Sequence, residues 1–217
     1  MPETFKYGIV ITGLIASGKS TVIKMLSARG YSVICADEIA HKILNIKAKQ
    51  IAQIFGADLL ETNFNQKLKN QPTINRAKLG EIIFSDNQAR QKLQEILHPL
   101  IYEQIIKKAK KLEKEKKLYF VDIPLFFESG GKQKYNFKVA LIYAPKSQAL
   151  RRLIARNNLE KNQALLRINA QMDIEQKRLL SDFIIDNSAD LENLEKNVES
   201  FLEILNPFSD NCGTNLN

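Results

Sequence analysis

Eight consecutive residues, Gly13-Leu14-Ile15-Ala16-Ser17-Gly18-Lys19-Ser20, follow the spacing GxxxxGK plus a hydroxyl residue. Each fixed position has a chemical task. Gly13 and Gly18 let the backbone wrap a phosphate chain so that successive N–H groups converge on it, and a helix opening behind them adds its dipole. Lys19 can reach β- and γ-phosphate oxygens as a point charge, while the Ser20 hydroxyl can ligate the magnesium that bridges them. The alternative, an ordinary glycine-bearing strand-to-helix turn, leaves Lys19 and Ser20 without a reason to follow Gly18.

Two acidic residues have the right setting for phosphoryl transfer. Asp37 follows a short apolar run and is predicted at the carboxyl edge of a sheet, where ligands of open α/β folds bind. A carboxylate there can accept the proton of a substrate hydroxyl, or it can cap the helix that follows. Asp122 ends the run Tyr119-Phe120-Val121 in the same way and can support magnesium, or serve as a strand-end turn former. Arg152 and Arg156 are four apart, hence on one helix face, with Arg167 on the next helix. Guanidinium forks suit phosphate oxygens, though arginines on a solvated face are also common.

The elements that must position these groups alternate. Tyr7–Thr12, Tyr31–Ala36, Leu118–Ile123, Phe137–Ala144 and Asp182–Asp186 read as strands, rich in β-branched and aromatic residues. Helical spacing fills Ser20–Arg29, with Gly30 at the expected cap, and Asp37–Phe55. That order predicts an α/β fold, a parallel five-stranded sheet flanked by helices. Two stretches depart from it. Gly56–Asn75 is polar and turn-rich and leads into a helical stretch from Arg76 to about Ala109, with a break or kink expected at His98-Pro99. Lys146–Leu180 is predicted as two helices hinged near Asn157-Asn158, an arginine-bearing hairpin able to close over ATP. The tail at 206–217 is polar and predicted to be disordered.

Composition narrows the class. The chain has 217 residues, 44% apolar and 26% charged, with a net charge of +8. This length is ample for a core without staples. Two cysteines without a CxxC pair, and two histidines, Cys35, Cys212, His41 and His98, exclude a disulfide framework and a structural zinc. The start lacks the blocks of a secretory signal and no apolar run approaches a bilayer span, so a cytoplasmic protein with no membrane partner is expected. Most of the positive excess is local, with seven Lys against two Glu over 107–117. A lysine-rich helix end explains this better than nucleic acid does.

With these residues in place, the chain resembles the dephospho-coenzyme A kinase family over about residues 8–205. The segment Ile11–Thr21 resembles its phosphate loop, and Val33-Ile34-Cys35-Ala36-Asp37-Glu38-Ile39-Ala40 its VIDADxIA segment. Leu97-His98-Pro99 resembles its HP element, and Ile123–Ser129 its PLLFES element. Arg152–Arg156 and Arg167–Gln171 resemble its lid, and Asp182–Asn187 the closing ADxVIDN. Leu14 and Ala16 stand where the family loop has glycines, so each must keep a negative φ or carry a small strain cost, and Cys35 replaces the first Asp of DAD.

The resemblance implies one kinase domain over 1–205, with a helical substrate-binding insertion at about 56–100 and a lid at about 146–180. ATP would be held by Gly13, Ala16, Ser17, Gly18, Lys19, Ser20, Thr21, Arg152 and Arg156, with Mg2+ at Ser20 and Asp122. Asp37, Lys19 and Arg152 would be catalytic, and Asp37 and His98 would meet dephospho-coenzyme A. Transfer would go to the ribose 3′-hydroxyl. Another small-metabolite kinase remains the alternative, because a phosphate loop does not name its acceptor. A guanine switch is disfavoured by the lack of an NKxD segment, and a nucleic-acid ATPase by the small size and localised charge.

Overall fold

The computed structural model describes residues 4–61 and 72–205. By contacts they form two compact units, one holding the residues up to Cys35 and from Ala109 onward, the other Ala36–Lys108.

The first unit is built on five parallel strands, β1 (Gly8–Gly13), β2 (Ser32–Cys35), β5 (Tyr119–Asp122), β6 (Lys138–Tyr143) and β7 (Phe183–Asp186), in the order β2-β5-β1-β6-β7. Every residue of β1 is buried, as a central parallel strand covered on both faces requires. Alternate residues serve opposite faces. Ile9 and Ile11, with Phe120 and Ile142, pack against Val22 and Leu26 of α1 (Lys19–Ala28) and against Leu194, Val198 and Phe201 of α10 (Leu191–Leu205). Leu141 instead joins Leu14, Ala149 and Leu153 of α7 (Lys146–Asn157), and Ala164 and Ile168 of α8 (Lys161–Asn169). Each of the larger side chains among these, fully buried, contributes about 1.5–3 kcal/mol. The helices α6 (Gly131–Lys134) and α9 (Ile174–Leu180) complete the unit.

The second unit contains α2 (Ala36–Ile46), α3 (Ala48–Phe55), a short antiparallel pair β3 (Leu60–Glu61) and β4 (Thr73–Ile74), α4 (Arg76–Ser85) and the larger part of α5 (Asn87–Glu113). Its core is Leu44, Ala48, Ile51, Leu59, Ile74, Leu79 and Leu93.

Three expectations about the helices are corrected. The single helix expected over Asp37–Phe55 is two, turning at Lys47, which brings Leu44, Ala48 and Ile51 into one cluster. The break after Arg76 falls at Asp86, not at His98-Pro99. Asp86 ends α4, and its Oδ1 accepts from the backbone N–H groups of Gln88 at 2.7 Å and Ala89 at 3.2 Å, capping α5. Pro99 stays inside α5 because it and Glu95 are exposed, so water can meet the carbonyl that loses its partner. The stretch 146–180 holds three helices rather than two. The expected hinge is present at Asn158, which is left-handed at φ 48°, and a second lies at 170–173, where Asp173 caps α9. The β3–β4 pair has no signature in the sequence, because two-residue strands carry no periodicity. The expected tail lies outside the described residues.

Candidate active site

The loop between β1 and α1 is a folded cradle. Ser17 N–H donates to Leu14 O at 3.0 Å, and the N–H groups of Thr21 and Val22 turn back onto Gly18 O. Gly18 is left-handed, at φ 96°, and a Cβ there would lie 2.0 Å from Asn187 Nδ2. At Gly13 a Cβ would meet Ser17 Oγ at 2.5 Å. The two positions that lack the family's glycines resolve differently. Leu14 keeps an ordinary backbone and buries its side chain among Leu141, Ala149 and Leu153. Ala16 adopts φ 62° and so carries the strain, about 1 kcal/mol or more.

Three side chains from the carboxyl half of the chain hold this loop, and the sequence pattern gave none of them a role. Asn187, just past β7, donates from Nδ2 to Ser17 O at 2.7 Å. Gln171, in the break between α8 and α9, accepts from Ile15 N–H at 3.0 Å. Lys177, fully buried on α9, reaches Gly13 O at 3.4 Å and pairs with Glu128 at 2.8 Å. Gln171, Glu128 and Asn187 sit within segments that sequence resemblance had marked. Lys177 left only a faint signal, a lysine three residues after Ile174 on the apolar side of a short helix.

Lys19 opens α1, and its Nζ is ion-paired with Asp122 Oδ1. Both side chains are mostly buried, 14% and 11% exposed, so the pair is less screened than one at the surface. The strand register explains their meeting, since Asp122 lies beside Ile11 of β1 and Cys35 of β2 at the carboxyl edge. Ser20 is exposed in the first turn of α1 and Thr21 is half-buried. One hydroxyl and one carboxylate are a sparse donor set, the kind that suits a magnesium carried in on phosphates.

The expected arginine pair is split. Arg152 is half-buried, and its Nη1 is buried with no hydrogen-bond partner among the described residues; Arg156 is exposed and bonds Asn157 Oδ1 at 2.9 Å. Ser17 Oγ is also buried without a partner among the described residues. Buried donors are normally satisfied, and a phosphate oxygen is the kind of partner that each of these two groups takes. ATP therefore suits the residues present. On the flank, Tyr143 donates to Glu175 at 2.8 Å, a bond that raises its hydroxyl above the usual pKa.

Asp37 and His98 belong to the second unit. Asp37 lies exposed inside the first turn of α2, not at the end of a strand, since β2 stops at Cys35 and the helix starts at Ala36. That position meets the positive end of the helix dipole. His98 is half-buried within α5. On the same face of α2 as Asp37, one turn on, His41 lies 3.2 Å from Arg76 Nη1.

Among the described residues no helix is long and apolar enough to cross a membrane. A family model for dephospho-CoA kinase matches residues 7–193. A dephospho-CoA kinase of Helicobacter pylori is 47% identical over 201 residues, 92% of this chain and 98% of that one. One of Helicobacter hepaticus is 45% identical, over 94% and 96% of the two chains. The solved structure of a Campylobacter jejuni dephospho-CoA kinase superposes with a TM-score of 0.71 at 36% identity, over 92% of this chain and 96% of that one. With its parallel sheet, its phosphate loop and this likeness along nearly its whole length, the chain belongs to the dephospho-CoA kinase family.

Proposed function

We infer that this protein transfers the γ-phosphate of ATP to the ribose 3′-hydroxyl of dephospho-coenzyme A, releasing coenzyme A and ADP, the final step of coenzyme A formation. The observation that carries this reading is the family match over residues 7–193, which includes the Gly13–Ser20 loop.

The residue roles follow from that reading. Amides of Gly13–Thr21 and the ammonium of Lys19 bind the β- and γ-phosphates, and Lys19 exchanges part of its attraction to Asp122 for the incoming oxygens. Ser20 and Asp122 would hold a magnesium ion bound with ATP, and that ion would supply positive charge to offset the phosphates. Asp37 accepts the proton of the 3′-hydroxyl as its oxygen bonds to the γ-phosphorus and the bond to ADP breaks. Arg152 meets the transferring group's oxygens, and Arg156 meets ATP. His98 and the insertion at about 56–100 hold the acceptor, while residues 146–180 act as a lid that excludes water. Another small-metabolite kinase is not favoured, because the family match covers the acceptor-holding segment too. We place the reaction in the cytoplasm, the compartment holding the ATP it consumes.

The test is ADP release with ATP, magnesium and a panel of hydroxyl acceptors. Dephospho-coenzyme A is expected to dominate. Faster turnover of a sugar or a nucleoside monophosphate at equal concentration would reassign the acceptor.

A further inference from the structure

Lys177 is the one lysine among the described residues whose side chain is completely buried, and the chemistry assigned above does not use it. Burying an ammonium is costly unless it is paired and hydrogen-bonded, so its partners show what it is for. They are two. Glu128 Oε1 lies at 2.8 Å, on a side chain only 19% exposed, and Gly13 O lies at 3.4 Å. The same Glu128 oxygen accepts the backbone N–H of Met172 at 3.0 Å. One residue earlier, Gln171 accepts from Ile15 N–H at 3.0 Å.

These contacts join three segments distant in sequence: the start of the phosphate loop, the strand-end segment carrying Glu128, and the break between α8 and α9. Apart from the Lys177–Glu128 pair itself, each link ends on backbone of the loop or the hinge. We propose that Lys177, through Glu128 and Gly13, is a positioning residue that fixes the start of the phosphate loop in register with the Gln171–Met172 hinge, so that ATP meets a preformed loop. It touches no substrate. Its contribution is preorganisation, the avoided cost of ordering the loop at the moment of binding. This rests on the reading of the Gly13–Ser20 loop as the ATP site.

The test uses three variants of the full chain. Lys177→Met removes the charge and leaves Glu128 uncompensated. Lys177→Met with Glu128→Gln removes both charges, a change that buried pairs often tolerate. Glu128→Gln alone keeps the shape and the oxygen that Met172 needs. Melting temperature, ATP binding followed with a fluorescent ATP analogue, and KM for each substrate are measured. In the double variant, stability should recover relative to Lys177→Met while ATP KM and analogue Kd stay raised about tenfold and the KM for dephospho-coenzyme A stays within twofold. ATP KM and analogue Kd within twofold of wild type in a double variant of normal melting temperature would overturn the proposal. If Lys177→Met variants do not fold, Glu128→Gln decides, with ATP KM up several-fold in support and unchanged ATP KM against. Lys19→Ala, run alongside, separates the two readings: loss of transfer there with normal ATP binding in the Lys177 series sinks only the positioning role.

Discussion

The guanidinium of Arg152 carries a cost in the folded protein. Its Nη1 is buried without a partner among the described residues, and an unsatisfied buried donor costs about 1–3 kcal/mol. Arg152→Ala should therefore leave the melting temperature unchanged or raise it while turnover falls at least tenfold; Arg156→Ala, altering an exposed side chain, should do less to both. Early melting with normal turnover in Arg152→Ala would make the residue structural. Asp37→Asn removes a proton acceptor and a first-turn charge worth about 0.3–1 kcal/mol. Turnover should drop by a factor of roughly 10² to 10⁴ with ATP affinity intact, and normal turnover would take Asp37 out of the mechanism. The loop was legible residue by residue because each of its chemical requirements is local. The sorting of Arg152 from Arg156 was not, since helical spacing gives a shared face but not how deeply each side chain is covered. Nor could spacing reveal Lys177, whose partners lie 49 and 164 residues away.

Among the elements, strands read well because burial on both faces leaves a continuous apolar run, whereas breaks in helices depend on what solvent and caps allow. Pro99 was the strongest breaker in the pattern, yet α5 runs through it, and the unremarked Asp86 made the break by capping. The joint between α1 and the strand edge gives a sharp expectation. Gly18→Ala meets both a left-handed backbone and Asn187 Nδ2, so it should cost about 2 kcal/mol or more. Adding Asn187→Ala should recover only the steric part, read as melting temperature. Full recovery would mean that the backbone conformation is not strained. At the other edge of the sheet, Glu113 near the end of α5 accepts from Tyr7 N–H at 3.1 Å and from the Tyr119 hydroxyl at 3.0 Å. Burial first, then the Glu113 carboxylate, pushes Tyr119 well above the usual pKa of 10.0. The unfolded chain then releases this proton at lower pH than the folded one, so stability is full below about pH 10 and falls as pH rises beyond it. Tyr119→Phe should flatten that alkaline decline, and an unchanged slope would refute the assignment.

For the molecule as a whole, ligand binding and stability are linked. ATP at a hundredfold excess over its Kd should stabilise by about 2.7 kcal/mol, a rise in melting temperature of roughly 5–10 °C for a chain of this size. Lys19→Ala should lose most of that rise, and a full rise would mean that the nucleotide binds elsewhere. The sheet order has a consequence for synthesis. The central strand β1 is made before the other strands of its sheet, but its neighbours are β5 and β6, with Gly8 beside Tyr119 and Ile9 beside Lys138. At ribosomal speeds of about 5–20 residues per second, this apolar strand waits roughly 5–20 seconds for its first partner. Residues 36–108, whose core contacts are closer in sequence, are complete before that partner emerges. During this interval the nascent chain carries a bare strand with two open edges, a hazard set by topology rather than by the strength of any contact.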